Sequence, residues 1–268
     1  MPDNRTTCTL ITGGSAGIGR AFAEICARKG MNLFLVALPD KDLTETGEFI
    51  RNQWKVHVET FGIDLTEKDA PEKVYQYCIE HNLKVNILIN NAGRAGTAIF
   101  EESSLHYSDE RILLNIRALV LLTRLLLPML KESEKSFILN IASLSGYYPI
   151  PYKTVYSASK AFVIRFSLAL AEELRNSPVQ VSVVCPNGVE TNPGTYGRIR
   201  AHGFWGDLSK IDRFELADYT LDKMFRGKNI IVPKWINRFF LFLAKITPLT
   251  FQMRLLRKEF EKEVKVSR

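Results

Sequence analysis

Tyr156 and Lys160 stand four residues apart in Tyr156-Ser157-Ala158-Ser159-Lys160, a spacing that puts a phenol and an ammonium on the same face of a helix. A tyrosine in isolation titrates at about 10, but a neighbouring cation favours its anion and brings it into range for acid/base work near neutral pH. The other tyrosines close by lack that cation, since four residues beyond Tyr147, Tyr148 and Tyr152 come Pro151, Tyr152 and Tyr156. On its own such a pair is ordinary helix surface, a solvated charge beside an amphipathic ring. What it can do depends on the groups that the rest of the chain delivers to it.

Apolar runs at 8–11, 33–37, 56–61, 85–90, 136–142, 179–185 and 229–232 alternate with helix-compatible stretches, which implies right-handed crossovers and a mainly parallel sheet. The expected fold is α/β, a doubly wound Rossmann-type sheet of about seven strands with helices on both faces. A chain of 268 residues, 46% hydrophobic and 24% charged, fits one such domain, 1–268. After the first apolar run comes Thr12-Gly13-Gly14-Ser15-Ala16-Gly17-Ile18-Gly19, which opens the helix-compatible run 20–29. Strand, glycine turn and helix in that order let the backbone approach a phosphate and aim the free amides of a helix start at it.

Taken together, these residues and several others resemble the short-chain dehydrogenase/reductase family, in its short single-domain, ketoacyl-reductase-like branch, over nearly the whole chain. The glycine turn matches Thr-Gly-x-x-x-Gly-x-Gly; Asp64-Leu65 ends the third expected strand and Asn90-Asn91-Ala92-Gly93 the fourth; Asn115 lies in the helix that follows; Ser143 precedes Tyr156 by 13 residues. The resemblance implies a catalytic tetrad of Asn115, Ser143, Tyr156 and Lys160, with a nicotinamide cofactor across the carboxyl ends of the strands. Tyr156 would give a proton to a carbonyl oxygen in reduction, or take it from an alcohol in oxidation, and Ser143 would hydrogen-bond the same oxygen. Lys160 would hold the nicotinamide ribose and lower the Tyr156 pKa, and Asn115 would position a water that relays protons to Lys160. The cofactor contacts implied are Gly13, Ser15, Gly17, Ile18 and Gly19; Asp64 and Leu65 near the adenine; Asn91, Ala92 and Gly93; Tyr156 and Lys160; and Pro186, Val189 and Thr191.

Several of these positions also have plainer readings. Ser143 could satisfy turn amides, Asn115 could bond neighbouring backbone, Asp64 could cap the next helix, and Asn90 to Gly93 could hold the central strands together. Where the family usually has Pro-Gly-x-x-x-Thr, the chain reads Pro186-Asn187-Gly188-Val189-Glu190-Thr191; asparagine is the non-glycine residue that best tolerates left-handed backbone, so the turn is expected to persist. For the adenosine ribose, Ala37 replaces the acid of an NAD enzyme and Leu38 the arginine often seen with NADP. Lys41 and Ser15 could serve a 2′-phosphate, while Asp40 turned inward would favour NAD; the expected cofactor is NADP ahead of NAD. Asp40 and Lys41 could equally form a solvated turn.

Met1 to Thr7 is short and polar, with no apolar core of a signal or anchor, and a cytoplasmic location is expected. Cys8, Cys26, Cys78 and Cys185 are scattered without metal-ligand spacing, so no metal is expected and the thiols read as small buried hydrophobes. The apolar stretch 112–130 contains Asn115, Arg117, Thr123 and Arg124 and reads as a core or interface helix of a homodimer or homotetramer. Residues 192–220 are expected to form a substrate lid, with Tyr196, Phe204 and Trp205 suited to a lipophilic carbonyl or alcohol. From Lys223 to Arg268 there are 12 Lys/Arg against 3 Asp/Glu, although the whole chain carries only +7. Within the extension 234–268, Ile236, Phe239, Phe240, Leu243 and Ile246 follow helical spacing, and Trp235, Leu241 and Phe242 widen the apolar surface. That helix suits peripheral contact with an anionic membrane, or packing on the body, the substrate pocket or a second copy; nucleic-acid binding is not expected. Two function classes follow: an NAD(P)-dependent oxidoreductase, or a catalytically silent nucleotide-binding regulatory or scaffold protein.

Overall fold

The computed structural model of the chain describes residues 5–190 and 208–267. Its strands grow from the apolar runs: β1 (Thr6–Thr12), β2 (Leu33–Ala37), β3 (Val58–Gly62), β4 (Leu83–Asn90), β5 (Ser136–Ile141) and β6 (Val179–Val184). Strands such as β2 and β5 are buried along their whole length, as a parallel sheet covered on both faces requires. A further pair, β7 (Val189–Glu190) and β8 (Ile211–Asp212), stands apart, and β9 (Ile230–Ile231) closes the main sheet. The seven-stranded order is β3-β2-β1-β4-β5-β6-β9, parallel throughout, which is the doubly wound Rossmann-type arrangement expected. Strand order reverses between β1 and β4, so the loops leaving Thr12 and Asn90 emerge side by side at the crevice where such sheets take ligands.

Alternate strand residues feed two cores. On one face Ile11, Leu35, Ile89 and Leu139 meet Phe22 and Cys26 of α1 (Gly17–Arg28) and Ile50 of α2 (Lys41–Trp54). On the other, Leu10, Phe34, Leu88 and Ile138 meet Val74 and Cys78 of α3 (Ala70–Glu80). That second face is also covered by a long helical run: α4 (Leu105–Ile112), a π-helical turn over Leu113–Ala118, and α5 (Leu119–Lys131). By length and apolarity Leu105–Lys131 could cross a bilayer, yet Leu122, Leu126, Met129 and Leu130 are buried against the sheet, so it serves as a core helix. All four cysteines are free and buried, and burial pushes the Cys26 thiol up to about 12.

The far end of the chain adds α6 (Thr154–Glu173), α7 (Arg213–Phe225), α8 (Trp235–Ile246) and α9 (Leu249–Ser267). Asp212 caps α7 by accepting from the amides of Phe214 and Glu215 at 2.8 and 3.1 Å, and Leu216, Ala217, Leu221 and Met224 join the first core. The expected lid therefore stops short of Tyr219, because from Arg213 onward the segment is a helix packed on α1. The rest of the expected lid, with Tyr196, Phe204 and Trp205, and the expected contact Thr191 lie outside the described residues. Among the described side chains of α8, Ile236 and Asn237 are deeply buried, while Trp235, Phe239, Phe242 and Ile246 stay exposed.

Candidate active site

The glycine turn is tight for a steric reason. Gly13 and Gly17 have φ of 64° and 54°, and a Cβ on Gly19 would fall 2.0 Å from the carbonyl oxygen of Gly13. Thr12 Oγ1 accepts from the amides of Asn91 and Ala92, both at 3.0 Å, and Asn91 Nδ2 donates to the carbonyls of Thr12 and Gly13 at 2.9 and 3.2 Å. The segment after β4 is thus fastened to the turn after β1. Helix α1 starts at Gly17 behind an extended Ala16 that makes no side-chain cap, and its first turn contains no acid. Amides left open at a positive dipole end, beside a backbone stripped of side chains, fit the pyrophosphate of a dinucleotide. Ser15 borders this turn, its carbonyl accepting from Thr46 Oγ1 at 3.0 Å, whereas Ile18 packs against the core.

The second half of the site gathers on α6. Lys160 is 6% exposed; its Nζ donates to the carbonyl of Ile141 at 2.7 Å and lies 6.0 Å from the centre of the Tyr156 ring. Loss of water around it lowers its pKa to about 8, with only partial opposition from Cys185. Asn115, 1% exposed on the π-helical turn, accepts from the amide of Arg94 at 2.8 Å. Its Nδ2 donates to the Arg94 carbonyl at 3.1 Å and to Ser159 Oγ at 3.0 Å. Gly93 sits between the two: a Cβ there would be 3.0 Å from Asn115 Oδ1 and 3.4 Å from Lys160 Nζ. Ser143 leaves β5 in extended conformation, its Oγ accepting from the amide and hydroxyl of Ser145 at 3.2 and 2.8 Å. The loop it opens rests on α6 at Gly146, where a Cβ would be 2.7 Å from the backbone carbon of Lys160. Burial pushes the Tyr148 phenol up to about 12 and raises that of Tyr147 further, which suits neither for proton work near neutrality.

The plainer reading of Asn90 holds together with the site. Asn90 Nδ2 donates to Thr123 Oγ1 and Asn140 Oδ1 at 3.0 and 2.9 Å, so it does hold the central strands, while Asn91 to Gly93 face the turn and the lysine. Asp64, Asn187 and Asp40 are placed differently from their expected local roles. Asp64 does not cap α3, which starts after Asp69; it accepts from the amide and hydroxyl of Thr66 at 2.9 and 2.8 Å in a local turn. Leu65 and Val189 are buried in the two cores, which leaves only their backbone for a ligand. Pro186 accepts from the Leu144 amide at 2.8 Å, tying the turn after β6 to the loop of Ser143. Asn187 does not take up the left-handed backbone expected of it; its Nδ2 donates to Asn237 Oδ1 of α8 at 3.2 Å. Asp40 neither turns inward nor is merely solvated, since it caps α2 through the Leu43 amide at 3.1 Å, and Lys41 Nζ lies 2.9 Å from Glu45. Ser159 and Gly146 have no counterpart in the sequence reading; the one signal was that Ser159 lies within a helical turn of both Tyr156 and Lys160.

The profile of the short chain dehydrogenase family matches residues 7–197. The chain belongs to that family. Very-long-chain 3-oxoacyl-CoA reductase of Bos taurus is 36% identical over 188 residues, and the match covers 68% of this chain and 59% of that protein. The Rattus norvegicus reductase is 31% identical over 240 residues, covering 85% and 76%. The chain thus spans little more than half the length of the first of these relatives. Among solved structures, a short-chain dehydrogenase from Sphingobium yanoikuyae in complex with NADPH is 33% identical, covers 85% of this chain and 88% of its own, and superposes with a TM-score of 0.75.

Proposed function

We propose that the protein reduces the keto group of a lipophilic acyl substrate of the 3-oxoacyl type with NADPH, using Asn115, Ser143, Tyr156 and Lys160. The observation that carries this reading is the convergence at Gly93 of Asn115, from the π-helical turn, and Lys160, from the helix that also bears Tyr156. The open amides of α1 and the segments Gly13–Gly19 and Asn91–Gly93 would hold the dinucleotide, which supplies the hydride when bound. Tyr156 would hold the transferable proton on its hydroxyl and pass it to the carbonyl oxygen. Ser143 Oγ, kept in place by Ser145, would donate to the same oxygen as negative charge grows there. Lys160 would steady the tyrosinate that the transfer leaves behind, and its burial strengthens that interaction by excluding water.

NADPH is preferred on two grounds: the carboxylate of Asp40 is committed to the α2 amide, and the Sphingobium yanoikuyae relative is NADPH-bound. The lipophilic substrate rests on the 3-oxoacyl-CoA reductases among the relatives. Exposed Leu105, Ile112 and Phe162 on the mutually packed α4 and α6 offer a face for a second copy, in a homodimer or homotetramer. The exposed rings of α8, flanked by Lys234 and Arg238, favour peripheral contact with an anionic membrane. The deciding experiment follows NADPH consumption with acetoacetyl-CoA and with a long-chain 3-oxoacyl-CoA. Faster turnover of the long chain is expected, and inertness toward both, with NADPH bound, would leave only a nucleotide-binding role.

A further inference from the structure

Glu263, near the end of α9, has a side chain only 1% exposed, an expensive place for a carboxylate unless donors meet it. Two segments remote in sequence supply them. Thr97 Oγ1 donates to Glu263 Oε2 at 2.6 Å, and Lys153 Nζ lies 3.2 Å from Oε1 and 2.9 Å from Oε2. One helical turn earlier on the same face, the Phe260 ring is centred 4.7 Å from the Lys153 ammonium, so α9 holds that cation with a ring and a carboxylate together. Thr97 belongs to the loop that leaves β4 through Gly93 and Arg94; Lys153 immediately precedes α6, three residues before Tyr156. The two segments also meet directly, the amide of Ala98 donating to the carbonyl of Tyr152 at 2.8 Å. Tyr152 is held at φ 66°, a conformation that a bulky aromatic keeps only where its surroundings enforce it.

We infer that Glu263 is a positioning residue for the reaction: it locks the amino end of α6, and with it Tyr156, to the loop that carries Gly93 and the Asn115 contacts. This rests on the proton-donor reading of Tyr156. The carboxylate lies beyond the 7–197 stretch that matches the family profile, on the carboxyl-terminal helix α9. A carbonyl needs the hydroxyl held within a few tenths of an ångström of its productive place, and slack at the start of α6 is passed on to Tyr156, which lies within the first turn of that helix.

The test uses the full-length protein with Glu263→Gln, an isosteric change that removes the charge, and Thr97→Val, which removes one donor. NADPH affinity is measured by fluorescence titration, turnover with a long-chain 3-oxoacyl-CoA, and local order by amide hydrogen exchange over residues 95–99 and 150–157. Glu263→Gln should lower kcat roughly tenfold, leave the NADPH Kd unchanged, and speed exchange in both segments, with Thr97→Val intermediate. Unchanged kcat and exchange would overturn the inference, as would a loss of NADPH affinity in step with kcat, the pattern of general loosening. If the unaltered protein turns over no carbonyl probe, the functional reading fails instead, and the exchange of the two segments alone decides whether Glu263 locks them.

Discussion

Asn187 donates its side-chain amide to Asn237 Oδ1 at 3.2 Å, joining the turn after β6 to a deeply buried residue of α8. Asn237 in its turn donates to the carbonyl of Pro233 at 2.9 Å, so the residue that departs from the family pattern is one end of a short polar chain into the carboxyl-terminal helix. Asparagine serves here through its side chain and not through backbone tolerance. Replacing Asn237 by Ala strands the Pro233 carbonyl and the Asn187 amide, and should cost about 1–3 kcal/mol in urea unfolding. Asn187→Gly, which leaves the Asn237–Pro233 bond intact, should cost less; an equal loss would place the effect in the turn itself.

Tyr156→Phe keeps the ring and removes only the ionisable hydroxyl. The fold and NADPH affinity should persist while kcat falls on the order of a hundredfold or more, the scale of a lost general acid. Steady-state turnover beside cofactor titration checks it, and near-normal kcat would remove Tyr156 from the mechanism.

Much of this site was legible because it is local: Tyr156 and Lys160 share a helix face by spacing alone, and the glycine turn announces itself between an apolar run and a helix. The strands were legible for a similar reason, since a sheet covered on both faces needs unbroken apolar runs. The two-residue β7 and β8 carry too few side chains for any pattern to show. The roles of Asp40 and Asp64 were hard to read because a carboxylate at a strand end is as useful to a turn or helix cap as to a ligand, and here each accepts from a backbone amide a few residues on. Least legible was Glu263, whose partners Lys153 and Thr97 lie 110 and 166 residues away, a separation at which only the folded chain tells which charge meets which.

Lys160 makes the stability of the cofactor-free protein depend on pH in an unusual direction. Its folded pKa of about 8 lies below the ordinary lysine value of 10.5, so between those values the unfolded chain binds more protons and stability rises with pH. The burial penalty is full below about 8 and gone above about 10.5, a span of roughly 3 kcal/mol. Lys160→Met should therefore be the more stable protein at pH 7, by less than that span because the Ile141 carbonyl loses its donor, and the advantage should shrink toward pH 10. Urea titrations of both proteins across that range decide it; a constant difference would mean that the lysine is solvated.

Gly93→Ala places a methyl 3.0 Å from Asn115 Oδ1 and 3.4 Å from Lys160 Nζ, tighter than a packed interior accepts without movement. The variant should fold with a loss of about 1–3 kcal/mol and lose kcat by at least roughly tenfold, because the displaced groups are the ones assigned to the proton path. Full activity would show that Asn115 and Lys160 can move apart without consequence.

The proposed preference for NADPH over NADH is assigned to the start of α2. Asp40 is a helix cap, so Asp40→Ala should cost about 1 kcal/mol of stability and leave the preference for NADPH unchanged. Lys41 is an exposed cation two residues beyond Pro39, and Lys41→Ala should weaken NADPH while sparing NADH. Side-by-side titration of the two cofactors separates the roles, and a tighter NADH from the outset would reverse the assignment.

The carboxyl-terminal surface joins two properties that packing alone does not explain. Trp235, Phe242, Ile246, Phe251 and Leu255 are each about 60–70% exposed, and the segment from Lys223 onward holds 12 Lys/Arg against 3 Asp/Glu. Exposed rings among cations suit the interface of an anionic bilayer, where each basic residue near the surface adds about 1 kcal/mol and salt screens the attraction over about 10 Å at 0.1 M. The protein should co-sediment with vesicles containing phosphatidylserine and far less with phosphatidylcholine alone, and should release as salt rises. Phe242→Ser with Ile246→Ser should abolish sedimentation without unfolding, because neither side chain is part of the buried turn at Ile236 and Asn237. Should the protein ignore both vesicles while the same substitutions break an oligomer, α8 is a contact between copies and not a membrane surface.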